Sequence, residues 1–376
     1  MRILLVGEYS NLHNSLKLGL KELGHEVILI SGGDAFKKFP SDINVRGRRM
    51  QDNFLLNGLR QLFFRLTKTD LALLETGLKA HRKIKKLGRY DVIQLINEYP
   101  FKSPYFLERS ILKQLRKQTD KLVILGCGDD YVYLTNREKL PNHPLDFYGG
   151  KHHFPYSELY LTKKHKAFHD YIFGLKDLVI TTDLDYHLIY DGSKEYYGMI
   201  PNPVQPVIFE QKPVSSEEKI VIFHGINRAN YYKKGNVFFE EALEQIAKEY
   251  KDRVEILTVE SLSYSEYIKS YDRAHILLDQ CFAVDQGYNA LEAMAKGKVV
   301  FTGAGKHFCE HYNLERNAVA IHAAPDAQTI YRDLKFLIEN PSVINKISEN
   351  AIAFITKYHD CKKVAERYCQ AYFSID

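Results

Sequence analysis

Short apolar runs alternate with helical segments along this chain, and that alternation narrows the fold more than any other feature. In the first half the runs are Ile3 to Val6, Val27 to Ile30, Val92 to Leu95, Leu122 to Leu125 and Leu178 to Thr181. Gly, Asp or Asn bounds them, as expected for parallel strands buried on both faces. Helical segments lie between, such as Ser15 to Leu23, closed by Gly24, and Leu107 to Gln118. The pattern predicts an α/β fold with a doubly wound sheet. A Pro-rich piece, Pro201 to Pro213, reads as a linker. The alternation then resumes with Ile220 to Phe223, Val237 to Tyr250, Val254 to Val259, Tyr264 to Tyr271, Ile276 to Leu278, Ala290 to Lys296 and Val299 to Thr302. From Pro341 the pattern is helical, with Ile344, Ile347, Ala351 and Ile355 at helix spacing.

A chain of 376 residues is too long for one ordinary core and suits two domains. Its 45% hydrophobic and 26% charged residues are those of a soluble globular protein. No apolar run approaches the roughly 20 residues of a membrane span. Met1 to Gly7 reads as a buried strand ending in a turn rather than a signal peptide, since polar helix-like sequence follows and no small-residue cleavage site appears. The five cysteines (127, 281, 309, 361, 369) are scattered and lack metal spacing, which reads as reduced thiols in a cytoplasmic protein.

The chemistry concentrates in the second half. Asp285-Gln286-Gly287-Tyr288-Asn289 opens into an apolar helix with Glu292 in its first turn. Such a turn aims free N–H groups and a positive helix end at one point, a site suited to phosphate. Gly287, Tyr288 and Asn289 would supply backbone donors, and Asn289 also suits the N-cap. Upstream, the strand Ile220 to Phe223 runs into Asn227-Arg228 and then Lys234-Gly235 before a long helix. A planar fork and a point charge in that place suit a diphosphate. A solvated basic loop is the bland alternative, and the adjacent Lys233 could take the point-charge role.

This order of strand, Arg, short loop, Lys-Gly, helix and later Gly-turn with Glu resembles the retaining family 4 glycosyltransferases of GT-B fold. The resemblance implies that Arg228 and Lys234, six positions apart, hold the donor diphosphate, and that Glu292 holds the donor ribose. Ile200 to Val204 resembles the family's interdomain linker. The expected organisation is an acceptor-binding domain over 1–200, a nucleotide-sugar-binding domain over 201–356, and a last helix, 357–376, crossing back onto the first domain through Val364, Tyr368, Tyr372 and Phe373. The family's further Glu, eight positions before Glu292, is replaced here by Val284, and Asp285 is the nearest acid. A first-domain His that contacts the transferred sugar is also missing, leaving Asp129 and Asp130 as the polar candidates at the end of Leu122 to Leu125. The catalytic set is therefore Arg228, Lys234, Asp285, Asp129 and Asp130. The donor set is Arg228, Lys234, Gly287, Tyr288, Asn289 and Glu292.

For the acceptor, His13 and Asn14 follow the first strand and Gln94 and Asn97 end the third. Asp183 and Asp185 read as helix-start residues rather than a metal pair, and the His165/His169 pair lacks an acid motif nearby, so no metal and no cofactor beyond the nucleotide-diphosphate sugar is expected.

The net charge of +5 is modest, but eleven cations fall within 46–86 (Arg46, Arg48, Arg49, Arg60, Arg65, Lys68, Lys79, Arg82, Lys83, Lys85, Lys86), interleaved with Phe54, Leu55, Leu59, Leu62, Phe63, Phe64 and Leu66. This reads either as a surface for anionic membrane or as a solvated helix face over a core. The predicted activity is transfer of a hexose-type sugar, with retention, to a glycan, lipid-linked or other alcohol acceptor in the cytoplasm or at the inner membrane face. Sugar-nucleotide epimerisation and a non-catalytic basic binding role stay open, whereas nucleic acid is not expected as a partner because no recognition motif accompanies the basic stretch.

Overall fold

The computed structural model describes residues 1–34, 39–67, 69–206, 213–215, 217–260 and 270–375. Among these residues twelve strands form two parallel sheets. The first holds β1 (Arg2–Val6), β2 (Glu26–Ser31), β3 (Ile43–Asn44), β4 (Val92–Leu95), β5 (Lys121–Gly126), β6 (Leu178–Thr181) and β7 (Tyr196–Met199), in the order β3-β2-β1-β4-β5-β6-β7. The second holds β8 (Ile220–Ile226), β9 (Val254–Glu260), β10 (Ile276–Leu278), β11 (Val299–Thr302) and β12 (Ile321–His322), in the order β12-β11-β10-β8-β9. The apolar runs read from the sequence are the central strands: Leu4, Val6, Ile93, Leu95, Ile222, Leu277, Val300 and Phe301 are all fully buried. Continuous burial on both faces is what a parallel sheet covered by helices requires. Residues 264–269 of the expected helix from Tyr264 to Tyr271, residues 207–212 of the Pro201–Pro213 linker and Lys68 lie outside the described residues.

In each sheet the chain reverses its direction of strand addition once, between β1 and β4 and between β8 and β10. Loops at the carboxyl ends of strands flanking such a switch diverge and leave a crevice. The two crevices face each other, which places one cleft between the sheets.

The last helix, Cys361–Phe373, leaves the second sheet and packs on the helix Leu12–Glu22 beside β1. Val364, Tyr368 and Tyr372 are fully buried there, whereas Phe373 is exposed and does not belong to the packing face. Gly19 makes the approach feasible, since a Cβ there would stand 2.0 Å from the Cys361 carbonyl oxygen. Tyr372 also donates its hydroxyl hydrogen bond to Gln94 Oε1 (2.7 Å) at the end of β4.

Within the basic stretch the helix Leu71–Ile84 lies over a core, burying Ala72, Thr76, Gly77, Ala80 and Ile84, but the helix before it does not. The helix Phe54–Thr67 has no buried residue. Phe54 is 90% exposed, Leu55 74% and Leu66 76%.

Candidate functional site between the two sheets

A cavity of about 820 Å³ occupies the cleft, a size within the ~300–1,000 Å³ of small-molecule sites. Glu8, Tyr9, Lys102, Gly128, Asp129 and Asp183 reach it from the first sheet's loops. Ala229, Asn230, Lys233, Lys234, Asp285, Gln286 and Gly287 reach it from the second.

On the second sheet's side the short helix Tyr231–Lys234 carries two adjacent lysines. Gly235 ends it in the left-handed conformation (φ 75°), close against Cys281, where a Cβ would meet the Cys281 Cβ at 2.9 Å. The turn sends the lysines to different partners. Lys234 Nζ donates to Asp279 Oδ1 (2.8 Å), a carboxylate buried at the end of β10. Lys233 Nζ donates to both Asp129 oxygens (2.7 and 2.6 Å) across the cleft. Burial alone would raise the Asp129 pKa, but Lys233 and Ser157 outweigh it and hold the carboxyl below its usual range.

Arg228 stands elsewhere. Its guanidinium is bidentate on Glu260 (2.7 and 2.6 Å), its side chain is 55% exposed, and it does not line the cavity. The structure therefore does not bring the expected Arg228–Lys234 pair together at the cavity, which Lys233 and Lys234 line instead. The reason is local: Asn227 caps a short 3₁₀ turn at Arg228–Asn230, and this directs Arg228 outward to the edge strand β9 while Ala229 and Asn230 face the cavity.

The Gly-turn leads into the helix Tyr288–Ala295, whose N-cap is Gly287 rather than Asn289. Glu292 consequently lies two residues further in, past the first turn in which the sequence placed it. Asn289 Nδ2 donates to Asp279 Oδ1 (3.4 Å), so it shares the carboxylate that holds Lys234. The Tyr288 side chain faces the first domain: it is buried there, with its hydroxyl bonded to Ser15 Oγ and donating to the Pro203 carbonyl (2.8 Å). It joins the domains, while Gly287 before it lines the cavity.

Asp285 lies in the cavity wall and also makes a junction. It accepts from Leu184 N (3.2 Å), while Asp185 accepts from Val284 N (3.0 Å) and Asp285 N (3.0 Å). Burial pushes the Asp285 carboxyl up to about 7 and Asp185 to about 6. Burial, then the neighbouring Asp185 and Asp285, raise Asp183 well above the usual range. Asp183 caps the helix Leu184–Tyr190, accepting from Tyr186 N. No group of three His, Cys, Asp or Glu residues with a metal-holding arrangement occurs among the described residues.

The first sheet's loops correct most of the acceptor set. Ser10 and Asn11 adopt left-handed backbone (φ 51° and 74°), and the helix starts at Leu12, which turns His13 inward. His13 is fully buried: Nδ1 donates to the Gly7 carbonyl (2.8 Å) and Nε2 accepts from Gln94 Nε2 (3.1 Å). Burial pushes its pKa down to about 4, so the ring is neutral. Gln94 and Asn97 are likewise fully buried and do not line the cavity. Asn97 Nδ2 donates to the Cys127 and Asp129 carbonyls (2.7 and 3.2 Å), which positions the Asp129 loop. Asn14 donates from N and Nδ2 to Glu8 Oε2 (2.9 and 2.8 Å), so it too acts through a neighbour. Glu8 is the residue that reaches the cavity, with burial raising its pKa to about 8.

Asp130 is also corrected. It is buried, caps the helix Tyr131–Thr135 by accepting from Tyr133 N (2.6 Å), and accepts from the Tyr190 hydroxyl (2.9 Å). The His165/His169 pair has an acid after all, brought from β4: His165 Nε2 and His169 Nδ1 hydrogen-bond the two oxygens of buried Glu98 (2.7 and 2.5 Å). That triad pins the helix Lys163–Phe173 beneath the first sheet's loops. Sequence reasoning passed over Lys102 and Tyr9, and read Arg46 and Arg60 only as part of the basic stretch, though all four line the cavity. For Lys102 and Tyr9 the one sequence signal is position, since they follow strands that flank the switch.

Residues 225–370 match a family model described as glycosyl transferase-like. No curated protein matches the chain in sequence. Among solved structures it is similar to sucrose-phosphate synthase from Thermosynechococcus elongatus, with TM-score 0.61 and 16% identity over 99% of this chain and 98% of that one. It is similar to Anabaena HepE, solved in complex with UDP and glucose, with TM-score 0.57 and 12% identity over the whole of both chains. It is also similar to a UDP-N-acetylglucosamine 2-epimerase so described from Listeria monocytogenes, with TM-score 0.52 and 10% identity over 99% of this chain and 96% of that one. The fold is GT-B: two facing α/β domains with the last helix crossing back to the first.

Proposed function

We propose that this protein is a glycosyltransferase that moves a hexose-type sugar from a UDP-sugar to an alcohol acceptor, with retention at the anomeric carbon. The observation that carries the proposal is the placement of Lys233, Lys234 and Gly287 on one wall of the interdomain cavity, within the stretch that matches a glycosyl transferase-like family. The nucleotide is chosen as uridine because HepE, of the same fold, was solved with UDP.

The bond from the sugar to the diphosphate breaks, and charge grows on the departing phosphate oxygen. Two ammonium groups and a helix N-terminus aimed at that oxygen stabilise it before the reaction begins. The acceptor hydroxyl attacks from the same face, and its proton passes to the leaving phosphate. This route requires no strong base from the protein, because the leaving phosphate takes the proton.

The acceptor is placed on the first sheet's side and read as a glycan or a lipid-linked head group. Arg46, Gln51 and Arg60 line the cavity from the segment that carries the exposed apolar helix Phe54–Thr67. A head group in the cavity and an anionic lipid surface under that helix are thus continuous.

Thermal-shift titration with UDP, UDP-glucose, UDP-N-acetylglucosamine and GDP-mannose tests the donor assignment. Stabilisation grows as the logarithm of ligand over Kd, so about 2.7 kcal/mol is expected at a hundredfold excess over Kd. No shift with any UDP compound would sink it. The epimerase of the same fold motivates one control: incubation with UDP-N-acetylglucosamine and no acceptor should give no epimer.

A further inference from the structure

Lys102 follows β4 in the loop Tyr99-Pro100-Phe101-Lys102-Ser103-Pro104, at the switch of the first sheet. It is a non-glycine residue in left-handed backbone (φ 52°). That conformation is unfavourable for lysine and persists where the surroundings over-determine it. Here they do. The buried Glu108 carboxylate accepts from Phe101 N (3.0 Å) on one side of Lys102, and from Ser103 N (3.1 Å) and Ser103 Oγ on the other. The Tyr99 hydroxyl donates to the Ser103 carbonyl (2.5 Å) as well. Both neighbours of Lys102 are tied inward, and its own side chain is turned out into the cavity.

Its amine differs from the cavity's other cations. Lys233 is held by Asp129, Lys234 by Asp279, Arg60 by Asp70, and Arg46 by Gln51 and Asp52. Lys102 Nζ makes no hydrogen bond or ion pair to a described residue and stands 4.9 Å above the Tyr9 ring. The ring face favours the cation without using its three N–H donors. A loop clamped at both ends thus presents a lysine whose donors are unspent.

We infer that Lys102 binds a negatively charged oxygen group, phosphate or carboxylate, on the acceptor. The wall it occupies decides between acceptor and donor. Lys233, Lys234 and Gly287 serve the donor diphosphate from the second sheet, while Lys102 projects from the first sheet beside Tyr9 and Asp34. The inference rests on the glycosyltransferase reading, and it adds that the acceptor is an anionic sugar or lipid-linked sugar rather than a neutral glycan. Lys102 then fixes where the acceptor's charge sits and hence which hydroxyl faces the donor.

Ligand-observed NMR with the whole protein, saturated with UDP so that the donor side is filled, tests this. The probes are glucose 1-phosphate, glucuronate and glucose. Wild type should retain at least one anionic sugar tenfold or more tightly than glucose, and the stronger of the two identifies the oxygen group. Lys102→Gln should lower that anionic sugar to the level of glucose, Lys102→Arg should keep the preference, and UDP affinity should be the same in all three. Lys102→Gly, which suits left-handed backbone, guards against misfolding: it should melt no lower than wild type and still lose the anion. Equal retention of the three sugars by wild type, or an undiminished preference in Lys102→Gln and Lys102→Gly, would overturn the inference. Absence of UDP binding would instead count against the donor assignment, and the anion arm would still be read from the difference between wild type and the Lys102 variants.

Discussion

Lys233 of the second sheet's loop and Asp129 of the first sheet's loop form an ion pair across the cleft, with Nζ 2.7 and 2.6 Å from the two carboxylate oxygens. Ser157 joins them by donating to Asp129 and lying 3.2 Å from Nζ. A diphosphate entering beside Lys234 competes with Asp129 for Lys233. Removing the competitor should therefore help the nucleotide and harm closure of the cleft. Asp129→Asn is expected to tighten UDP binding by about threefold, while Lys233→Ala and Lys234→Ala each weaken it by about tenfold or more, the scale of a lost charge-assisted contact. Calorimetric titration with UDP reads all three. Weaker binding in Asp129→Asn would mean that the pair supports the nucleotide rather than competing with it.

Arg228 gives the contrasting case. Its guanidinium is already satisfied by Glu260 outside the cavity. Arg228→Ala should leave UDP affinity within about threefold of wild type, since Arg228 does not line the cavity and an exposed ion pair on its rim is screened by solvent. A loss as large as that of Lys234→Ala would restore Arg228 to the diphosphate site and require the Glu260 pair to open.

The strands were legible because parallel strands buried on both faces must be apolar throughout, and Ile3 to Val6 or Ile220 to Phe223 cannot be read otherwise. The edge strand Ile43–Asn44 was not, since two residues carry no periodicity. In the site, the lysines and Gly287 were found because helix starts announce themselves locally. His13 and Gln94 were misplaced because their direction depends on the left-handed pair Ser10–Asn11 and on Tyr372, 278 residues away from Gln94. Glu98 reads as a strand-end acid until the fold brings His165 and His169 to it.

The cluster of Asp183, Asp185 and Asp285 makes the domain junction pH-dependent. Folding raises Asp185 from 3.8 to about 6 and Asp285 from 3.8 to about 7. Between those values the folded state holds more protons than the unfolded one, so this cluster's contribution to stability falls as pH rises from about 4 to 7. Asp183→Asn removes a like charge yet keeps a good N-cap. The variant should melt at the same temperature as wild type near pH 4 and above it at pH 7 to 8, with turnover nearly unchanged. Turnover should also survive EDTA; a loss that Mn²⁺ restores would mean that these acids hold a metal.

Gly19 controls the crossing of the last helix. A Cβ at this position would meet the Cys361 carbonyl carbon at 2.6 Å and its oxygen at 2.0 Å. Neither atom can yield without moving the helix. Gly19→Ala should lower stability by about 1–3 kcal/mol, the usual cost of overpacking. Chemical denaturation measures it, and an unchanged midpoint would show that the helix Cys361–Phe373 can shift freely on the first domain.

The helix Phe54–Thr67 sets the last expectation. An amphipathic helix that covered a core would bury one face, and this one buries none, with Phe54, Leu55 and Leu66 at 74–90% exposure. Apolar groups of that size left in water favour transfer into a lipid interface, and Arg65 on the same helix adds about 1 kcal/mol near an anionic surface. Arg60 does not share that role, because Asp70 holds it at the cavity wall (2.6 and 2.7 Å). Wild type should therefore co-sediment with phosphatidylglycerol-containing vesicles at low salt and much less with neutral ones. Combining Phe54→Ser, Leu55→Ser and Arg65→Glu should release it while leaving UDP affinity unchanged, since none of the three lines the cavity. Equal partitioning of wild type and triple variant would remove lipid as the partner of this face.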